Sequence, residues 1–168
     1  MESSPLFDEH WYRQQYQVDG SRAALVSEYL ARGPWTEWQP NPLFDGRWYM
    51  AANSDVQTVG MHPLHHYIVS GASEGRWPSG WFQTDWYLRH LPEGAIDPTK
   101  ALEHFLANGW RASSSPNPLF DMDWYIERHS DVATAGLNPL VHFATWGSKE
   151  LRDPNPHFSA DRQALGLS

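Results

Sequence analysis

The sequence predicts an all-α protein made of four tandem units, arranged either as a solenoid-like array or as a compact helical repeat. A Trp-Tyr pair occurs once in each unit, and a glycine returns every 38 residues, as Gly33, Gly71, Gly109 and Gly147. No segment shows the sustained period-two alternation of apolar and polar residues that is typical of strands. Such even spacing indicates one structural module that packs on its neighbours within a single repeat domain.

Each unit begins with a short, largely apolar sequence motif, which we call the opening phrase. Pro-Leu-Phe-Asp stands at 5–8, 42–45 and 118–121, and a degraded copy, Gly-Trp-Phe-Gln, stands at 80–83. A fifth opening begins at Asn155 and is not completed. These landmarks place the units at about 4–40, 41–78, 79–116 and 117–154, with a partial fifth unit at 155–168.

The fourth unit shows most clearly which helices to expect. Asp121 can cap a first helix, because its carboxylate can accept from backbone N–H groups two or three residues further on. Ser130 or Asp131 can cap a short helical turn that ends at Gly136. Asn138 can cap a further helix that has proline at its first position, where a missing N–H costs nothing.

The last helix of each unit is predicted to end at the recurring glycine. Gly147 is placed to be the left-handed C-terminal residue in the fourth unit, and Gly109 closes the corresponding helix of the third, which opens at Asp97. Each unit should therefore consist of two helices of roughly 8 to 12 residues with a short turn between them.

Residues that recur in the copies are predicted to form the repeat core, because identical surroundings demand an identical side chain. The Trp of each Trp-Tyr pair is expected to pack in the core or between units, while the Tyr hydroxyls reach polar partners at the edge. The predicted core positions are Phe7, Trp11, Phe44, Trp48, Phe82, Trp86, Phe120, Trp124, His66, His104 and His142.

The recurring histidine occupies one position in units two to four, and Glu28 holds that position in unit one. Equivalent positions in packed helical modules lie roughly 10 Å apart, whereas the ligands of one zinc ion lie about 2 Å from it. We therefore expect each His to hydrogen-bond the backbone of a neighbouring unit or the Asp of the opening phrase. No metal is expected, and the weak local candidate is the group His62, His65 and His66.

Several Trp residues do not recur at a fixed position, although they cluster around the closing glycines. A flat aromatic face beside polar groups is a common way to bind a sugar ring or to anchor an interface. The alternative is that these rings fill gaps between uneven units. Together with two arginines of the connecting turns, the candidate ligand-binding residues are Trp35, Trp38, Trp77, Trp110, Trp146, Arg76 and Arg152.

Composition narrows the classes of function. The chain has no Cys, which excludes disulfides and thiolate metal sites. Its net charge is −8 and it has no cluster of Lys and Arg, which argues against nucleic-acid binding. No apolar run reaches the ~18 to 20 residues of a membrane span, and the first residues lack the basic and apolar regions of a signal peptide. A cytoplasmic protein without a cofactor is expected.

The amino-acid sequence of the second unit resembles a known kind of repeat. It reads Asn-Pro-Leu-Phe-Asp-Gly-Arg-Trp-Tyr at 41–49, Pro-Leu-His-His-Tyr at 63–67 and Gly-Ala-Ser-Glu-Gly-Arg-Trp-Pro at 71–78. Similar repeats are attached to glycosyltransferase and sulfotransferase domains of bacterial polysaccharide biosynthesis. The resemblance implies a connection with surface-glycan metabolism and no catalytic residues.

These observations favour a non-catalytic binding module of the bacterial surface-polysaccharide system, which recognises a glycan or a polysaccharide-biosynthesis protein through aromatic residues. An alternative is a protein-interaction scaffold or a self-assembling homo-oligomer, since an open repeat end exposes a face that another chain could continue. A metal-dependent enzyme is the third interpretation. The sequence contains no phosphate loop, nucleophile elbow or His-Glu-x-x-His motif, and the expectation leans against an enzyme.

Overall fold

The computed structural model describes residues 4–112 and 114–158, and within these ranges every regular element is helical, which confirms the all-α prediction. None of these helices is long and apolar enough to cross a membrane. The α-helices are α1 (Glu9–Tyr16), α2 (Arg22–Ala31), α3 (Gly46–Ala52), α4 (Ser54–Val59), α5 (Pro63–His66), α6 (Thr84–Arg89), α7 (Ala101–Ala107), α8 (Met122–Arg128), α9 (Ser130–Ala135) and α10 (Pro139–His142).

The units differ in how many helical segments they contain. Unit one has the two helices that the sequence predicts, and unit three has two main helices that are shorter than predicted, with 6 and 7 residues. Units two and four have three short segments. In the latter, α5 and α10 continue directly into single π-helical turns, Tyr67–Gly71 and Phe143–Gly147. Short 3₁₀ segments flank α7, at Pro98–Lys100 and Gly109–Ala112. The prediction of two helices in every unit is therefore wrong for half of the repeat.

Side-chain caps fix where the first helices begin. Asp8, Asp45 and Asp121 each accept a hydrogen bond from the backbone N–H of the Trp three residues on, at 2.9–3.0 Å, which confirms the predicted cap. Asn138 caps α10 as predicted, accepting from two backbone N–H groups. The second helix of unit four is different, because its N-cap residue is His129, whose side chain makes no capping bond.

Left-handed glycines end the middle helices. Gly136 follows α9 with φ of 63°, as the sequence predicts, and Gly60 follows α4 with φ of 69°. An L-residue with a Cβ atom is strained in this conformation. The chain can therefore reverse immediately and start the next helix at a proline, Pro63 or Pro139, three residues after the glycine.

The opening of each unit is joined to the opening of the next, and we call this contact the unit joint. Its backbone part occurs in all four units. In each unit the backbone N–H of the last opening residue donates to the carbonyl of a proline 32 or 33 residues on, at 2.9–3.0 Å, and the donors are Asp8, Asp45, Gln83 and Asp121. Its side-chain part is an Asn amide that donates to the carbonyl two residues before the Asp or Gln position. These bonds are Asn41 to Leu6, Asn117 to Trp81 and Asn155 to Leu119, at 2.6–2.8 Å.

The unit joint gives the start of the fifth copy a role. Asn155 binds the Leu119 carbonyl and also accepts from the His157 backbone N–H, as Asn41 and Asn117 do in their own turns. Residues 155–158 therefore close unit four in the same way that each earlier opening closes the unit before it. The rest of the predicted fifth unit, 159–168, lies outside the described residues.

The tyrosine of each Trp-Tyr pair, and not the tryptophan, is the core residue. Tyr12, Tyr49, Tyr87 and Tyr125 are fully buried, and the preceding Trp residues are only half-buried. Consecutive residues of an α-helix point about 100° apart, so only one ring of the pair can face the core. The predicted core residues Trp11, Trp48, Trp86 and Trp124 are therefore only partly buried, with Trp11 and Trp124 packed against the core, while the four Phe residues of the openings are buried as expected.

Each recurring histidine binds the core tyrosine of its own unit. The hydroxyl oxygens of Tyr49, Tyr87 and Tyr125 lie 2.9, 2.7 and 3.0 Å from Nδ1 of His66, His104 and His142. The predicted partners, a neighbouring backbone or the opening Asp, are wrong. Burial raises the pKa of Tyr125 to about 12 and lowers the pKa of His142, so both groups are neutral near pH 7.

The recurring glycine makes room for that tyrosine. Gly71, Gly109 and Gly147 do not adopt positive φ, which corrects the prediction of a left-handed C-terminal residue. A Cβ atom at each of them would overlap the hydroxyl of Tyr49, Tyr87 or Tyr125 respectively. The glycine is therefore required by close approach of a side chain. Unit one lacks the histidine, and there Gly33 has φ of 80° with open space around it.

The four units form a compact body and not an extended array. Residues of units one, three and four, among them Trp11, Leu106 and Val141, line one cavity of about 490 Å³. The buried apolar residues of all four units belong to one continuous cluster. The all-α fold that the sequence predicts is thus compact, with one shared core.

The contact between Gly71 and Tyr49 can be tested by a double-mutant cycle. Gly71→Ala should destabilise the protein by about 1–3 kcal/mol, because its methyl group overlaps the Tyr49 hydroxyl. Removing that hydroxyl in Tyr49→Phe should relieve part of the overlap, so the double variant should lose less stability than the sum of the single variants. Urea denaturation measures all three. Gly80→Ala is the control, because a Cβ atom there meets only ordinary contacts with Trp48; additive losses would contradict the account.

Candidate functional site

At one position of the repeat, the exposed fraction of the residue changes from unit to unit. The second residue of the opening phrase is 2% exposed as Leu6, 0% as Leu43, 40% as Trp81 and 70% as Leu119. Trp81 is partly covered by unit four, since the Phe143 ring lies edge-on to its indole with centroids 5.4 Å apart. Leu119 is thus the most exposed of the four copies.

An apolar cleft of about 550 Å³ lies beside Leu119. Its volume is in the range of small-molecule and side-chain pockets. We call it the terminal cleft, and it is lined by Gly80, Trp81, Gln83, Asn117, Leu119, Phe120, Phe143, Ser148, Leu151, Arg152, Pro154 and Phe158. Units three and four and the start of the fifth copy thus contribute to one surface.

Leu151 holds an unusual backbone conformation at the edge of the terminal cleft. Its φ is 55°, in the left-handed region, and its side chain is 56% exposed. The equivalent residue of unit two is Gly75, with φ of 71°, which adopts this conformation without strain. For a branched side chain the left-handed region costs about 1–2 kcal/mol. Such strain makes Leu151 a candidate functional residue.

Two of the four polar side chains that line the cleft already have hydrogen-bond partners within the chain. The Asn117 amide donates to the Trp81 carbonyl at 2.6 Å, and its oxygen accepts from the Leu119 N–H at 2.8 Å. The Arg152 guanidinium donates two hydrogen bonds to Asp131, at 2.8 and 2.9 Å, and one to Glu150 at 2.7 Å. The cleft therefore offers mainly apolar contacts.

The two candidate arginines have the same structural role. Arg76 donates two hydrogen bonds to Asp55 at 2.7 and 2.8 Å and one to Glu74, just as Arg152 does with Asp131 and Glu150. Each guanidinium thus ties a closing turn to the second helix of its unit. A ligand carboxylate or sulfate would have to displace two carboxylates from either arginine.

The predicted tryptophans fall into two groups. Trp38 stacks on Tyr16 with ring centroids 4.0 Å apart, under the Arg32 guanidinium, and Trp77 donates from Nε1 to Asp85 at 2.7 Å. Trp110 is half-buried against the core. These three rings fill gaps between elements, which is the alternative that the sequence left open.

Trp35 and Trp146 form the second group. Trp35 is 53% exposed after the closing glycine of unit one, and Trp146 is 47% exposed in the π-helical turn of unit four. Their indole faces are accessible to a ligand. Sequence reasoning missed Trp81, Leu119 and Leu151, although two of them were visible as departures from the repeat, Trp in place of Leu and Leu in place of Gly.

The candidate metal histidines do not converge. Neither ring nitrogen of His62 has a hydrogen-bond partner, its ring lies edge-on to Tyr29 at 5.1 Å, and burial lowers its pKa to about 4. His66 binds Tyr49, and His65 is exposed. In the part of the chain that the structure describes, no three His, Asp or Glu side chains are arranged to hold a metal ion.

Comparisons of the chain with protein-family models, with characterised proteins and with solved structures found no match.

The ion pair between Arg152 and Asp131, which we call the clamp, should make the free energy of unfolding depend on pH. Hydrogen bonds from Arg152 lower the pKa of Asp131 from 3.8 to about 2. Because the folded-state pKa lies below the unfolded one, the clamp stabilises the fold above about pH 4, and this contribution is lost as the pH falls towards 2. Asp131→Asn should therefore flatten the fall of the unfolding free energy between pH 4 and 2.

Urea denaturation at a series of pH values measures this effect. Asp19→Asn, on an exposed turn, is the matched control and should leave the shape of the pH profile unchanged. A profile for Asp131→Asn that falls as steeply as that of the wild type would show that the clamp does not set the acid sensitivity.

Proposed function

We propose that the protein is a non-catalytic binding module of bacterial surface-polysaccharide biosynthesis, and that it holds a partner protein in the terminal cleft. The observation that carries the proposal is the cleft itself, where Trp81 of unit three and Leu119 and Leu151 of unit four present exposed apolar surface. Exposed apolar patches of this kind mark interaction sites. The biological setting comes from the resemblance of the repeat wording to repeats attached to glycosyltransferases.

A protein side chain suits the terminal cleft better than a sugar does. A sugar ring brings several hydroxyl groups, and each must find a partner when it is buried. Asn117 and Arg152 already use their polar atoms within the chain. An apolar side chain needs no such partners and gains from burial of the Trp81 and Leu119 surfaces.

Glycan binding is the second candidate, and the exposure of Trp35 and Trp146 favours it. Each indole presents a face on which the C–H groups of a sugar ring can stack. This site would be separate from the terminal cleft, because neither residue lines it.

Titration calorimetry with a purified glycosyltransferase encoded in the same gene cluster tests the proposal. The wild type should bind, and Leu119→Ser should weaken binding about tenfold, because the substitution removes the most exposed apolar side chain of the cleft. Val59→Ser is the control, because Val59 is 73% exposed and lies outside the cleft. Equal binding by both variants would place the contact elsewhere. Absence of binding, together with an oligosaccharide response abolished in Trp35→Ala or Trp146→Ala, would support the glycan candidate instead.

A further inference from the structure

His62 is a histidine whose ring nitrogens are buried and unpaired. It stands at the N-cap position of α5, but its side chain does not cap the helix, and neither nitrogen has a hydrogen-bond partner among the described residues. Buried polar groups of folded proteins nearly always have such partners. The recurring histidines of units two to four differ in this respect, because each of them binds a tyrosine hydroxyl. His62 therefore needs a separate explanation.

The ring of His62 forms part of the contact between units one and two. It lies edge-on to Tyr29 of α2, with ring centroids 5.1 Å apart, and Tyr29 is 0% exposed. The Tyr29 hydroxyl is also buried without a partner, so the two rings pack together without exchanging a hydrogen bond. A Cβ atom at Gly46 would lie 3.2 Å from Pro63 and 3.9 Å from that hydroxyl, which shows how closely α2, α3 and α5 meet here. The contact depends on the packing of neutral rings.

A proton on the His62 ring would have no acceptor in this contact. The imidazolium carries two N–H donors, and the contact leaves both nitrogens unpaired. The titratable groups beside the ring are Tyr29 on α2 and His65 on α5, and neither supplies a negative charge. Asp45 at the start of α3 acts on Tyr29, but it accepts from the Trp48 N–H and does not act on His62. Burial, followed by the neighbouring His65, lowers the pKa of His62 from 6.5 to about 4.

We propose that His62 is an acid-sensitive switch: when its ring takes up a proton, α2 and α5 separate and Tyr29 becomes exposed. Water then supplies the acceptors that the closed contact lacks, and the charge is no longer buried. Because the closed form has the lower pKa, the open form binds more protons between pH 6.5 and 4. The contact is fully stable above about pH 6.5 and weakens as the pH falls towards 4.

The switch is separate from the features described above. Its pH range lies above the range of the Asp131 clamp, whose carboxylate has a pKa of about 2. It also joins units one and two, whereas the terminal cleft is lined by units three and four and the start of the fifth copy. Failure of the proposed function would therefore leave the switch unaffected.

Hydrogen exchange of the full-length protein at pH 7 and pH 5 tests the switch, after correction for the intrinsic pH dependence of exchange. Protection of the α2 amides should fall about tenfold at pH 5, because opening is coupled to the uptake of one proton. Amides of α6 in unit three should keep their protection, since they lie outside the contact. Equal loss of protection in α2 and α6 would indicate global acid unfolding and would overturn the switch.

Matched variants assign the effect to His62. His62→Phe keeps an aromatic ring against Tyr29 but cannot take up a proton, so its α2 amides should be equally protected at both pH values. His10→Gln removes an exposed histidine of unit one and should retain the tenfold fall of the wild type. A fall of the same size in His62→Phe would overturn the switch.

An NMR titration of the wild-type protein keeps the test decisive if His62→Phe does not fold. The assigned ring signals of His62 should shift only below about pH 6, together with the amide signals of α2. Titration of the ring near pH 6.5 with unchanged α2 signals would overturn the switch, because the ring would then gain its proton inside a closed contact.

Discussion

The fold depends on the unit joint, the hydrogen-bonded contact between the openings of successive units. The α-helices have only 4 to 10 residues, and isolated helices of that length are not stable in water. Their stability comes from packing around the buried Phe and Tyr of each unit. The joint fixes the two ends of that packing at a constant separation, with one backbone bond in every unit and an Asn bond in three of the four. At the end of unit two, the position of this Asn is occupied by Ser79, whose side chain has no amide to donate the bond.

Within each of units two to four, the recurring Tyr, His and Gly residues depend on one another structurally. The tyrosine hydroxyl is buried and needs a partner, the histidine supplies it, and the glycine leaves the space between them. Regular recurrence of the three is explained by packing alone. The residues that distinguish one copy from another are therefore the better guide to function, and Trp81 and Leu151 are the clearest of them.

Local features of the fold were predictable from the sequence, because caps and turns depend on neighbouring residues. Asp121, Gly136 and Asn138 behave as their residue types predict. The identity of the buried ring in the Trp-Tyr pair was not predictable, since it depends on how the helix is rotated against the rest of the unit. The recurring glycine was misread for a related reason. A left-handed turn and a crowded backbone both select glycine, and only tertiary packing distinguishes them.

The terminal cleft could not be predicted, because it is assembled from unit three, unit four and residues 154–158. Its parts are dispersed in the chain, and only tertiary packing brings them together. The sequence did show the substitutions that create it. Leu at the position of Gly75 is conspicuous once the left-handed backbone of that turn is known.

The central claim, that each unit is closed by the opening of the next, is tested most directly by hydrogen exchange in Asn155→Ala. Loss of the bond to the Leu119 carbonyl, worth about 1 kcal/mol, should speed exchange of the α8 amides roughly fivefold. Amides of α3 should be unaffected in this variant, whereas Asn41→Ala should speed exchange in α1. Unchanged protection of α8 in Asn155→Ala would contradict the account.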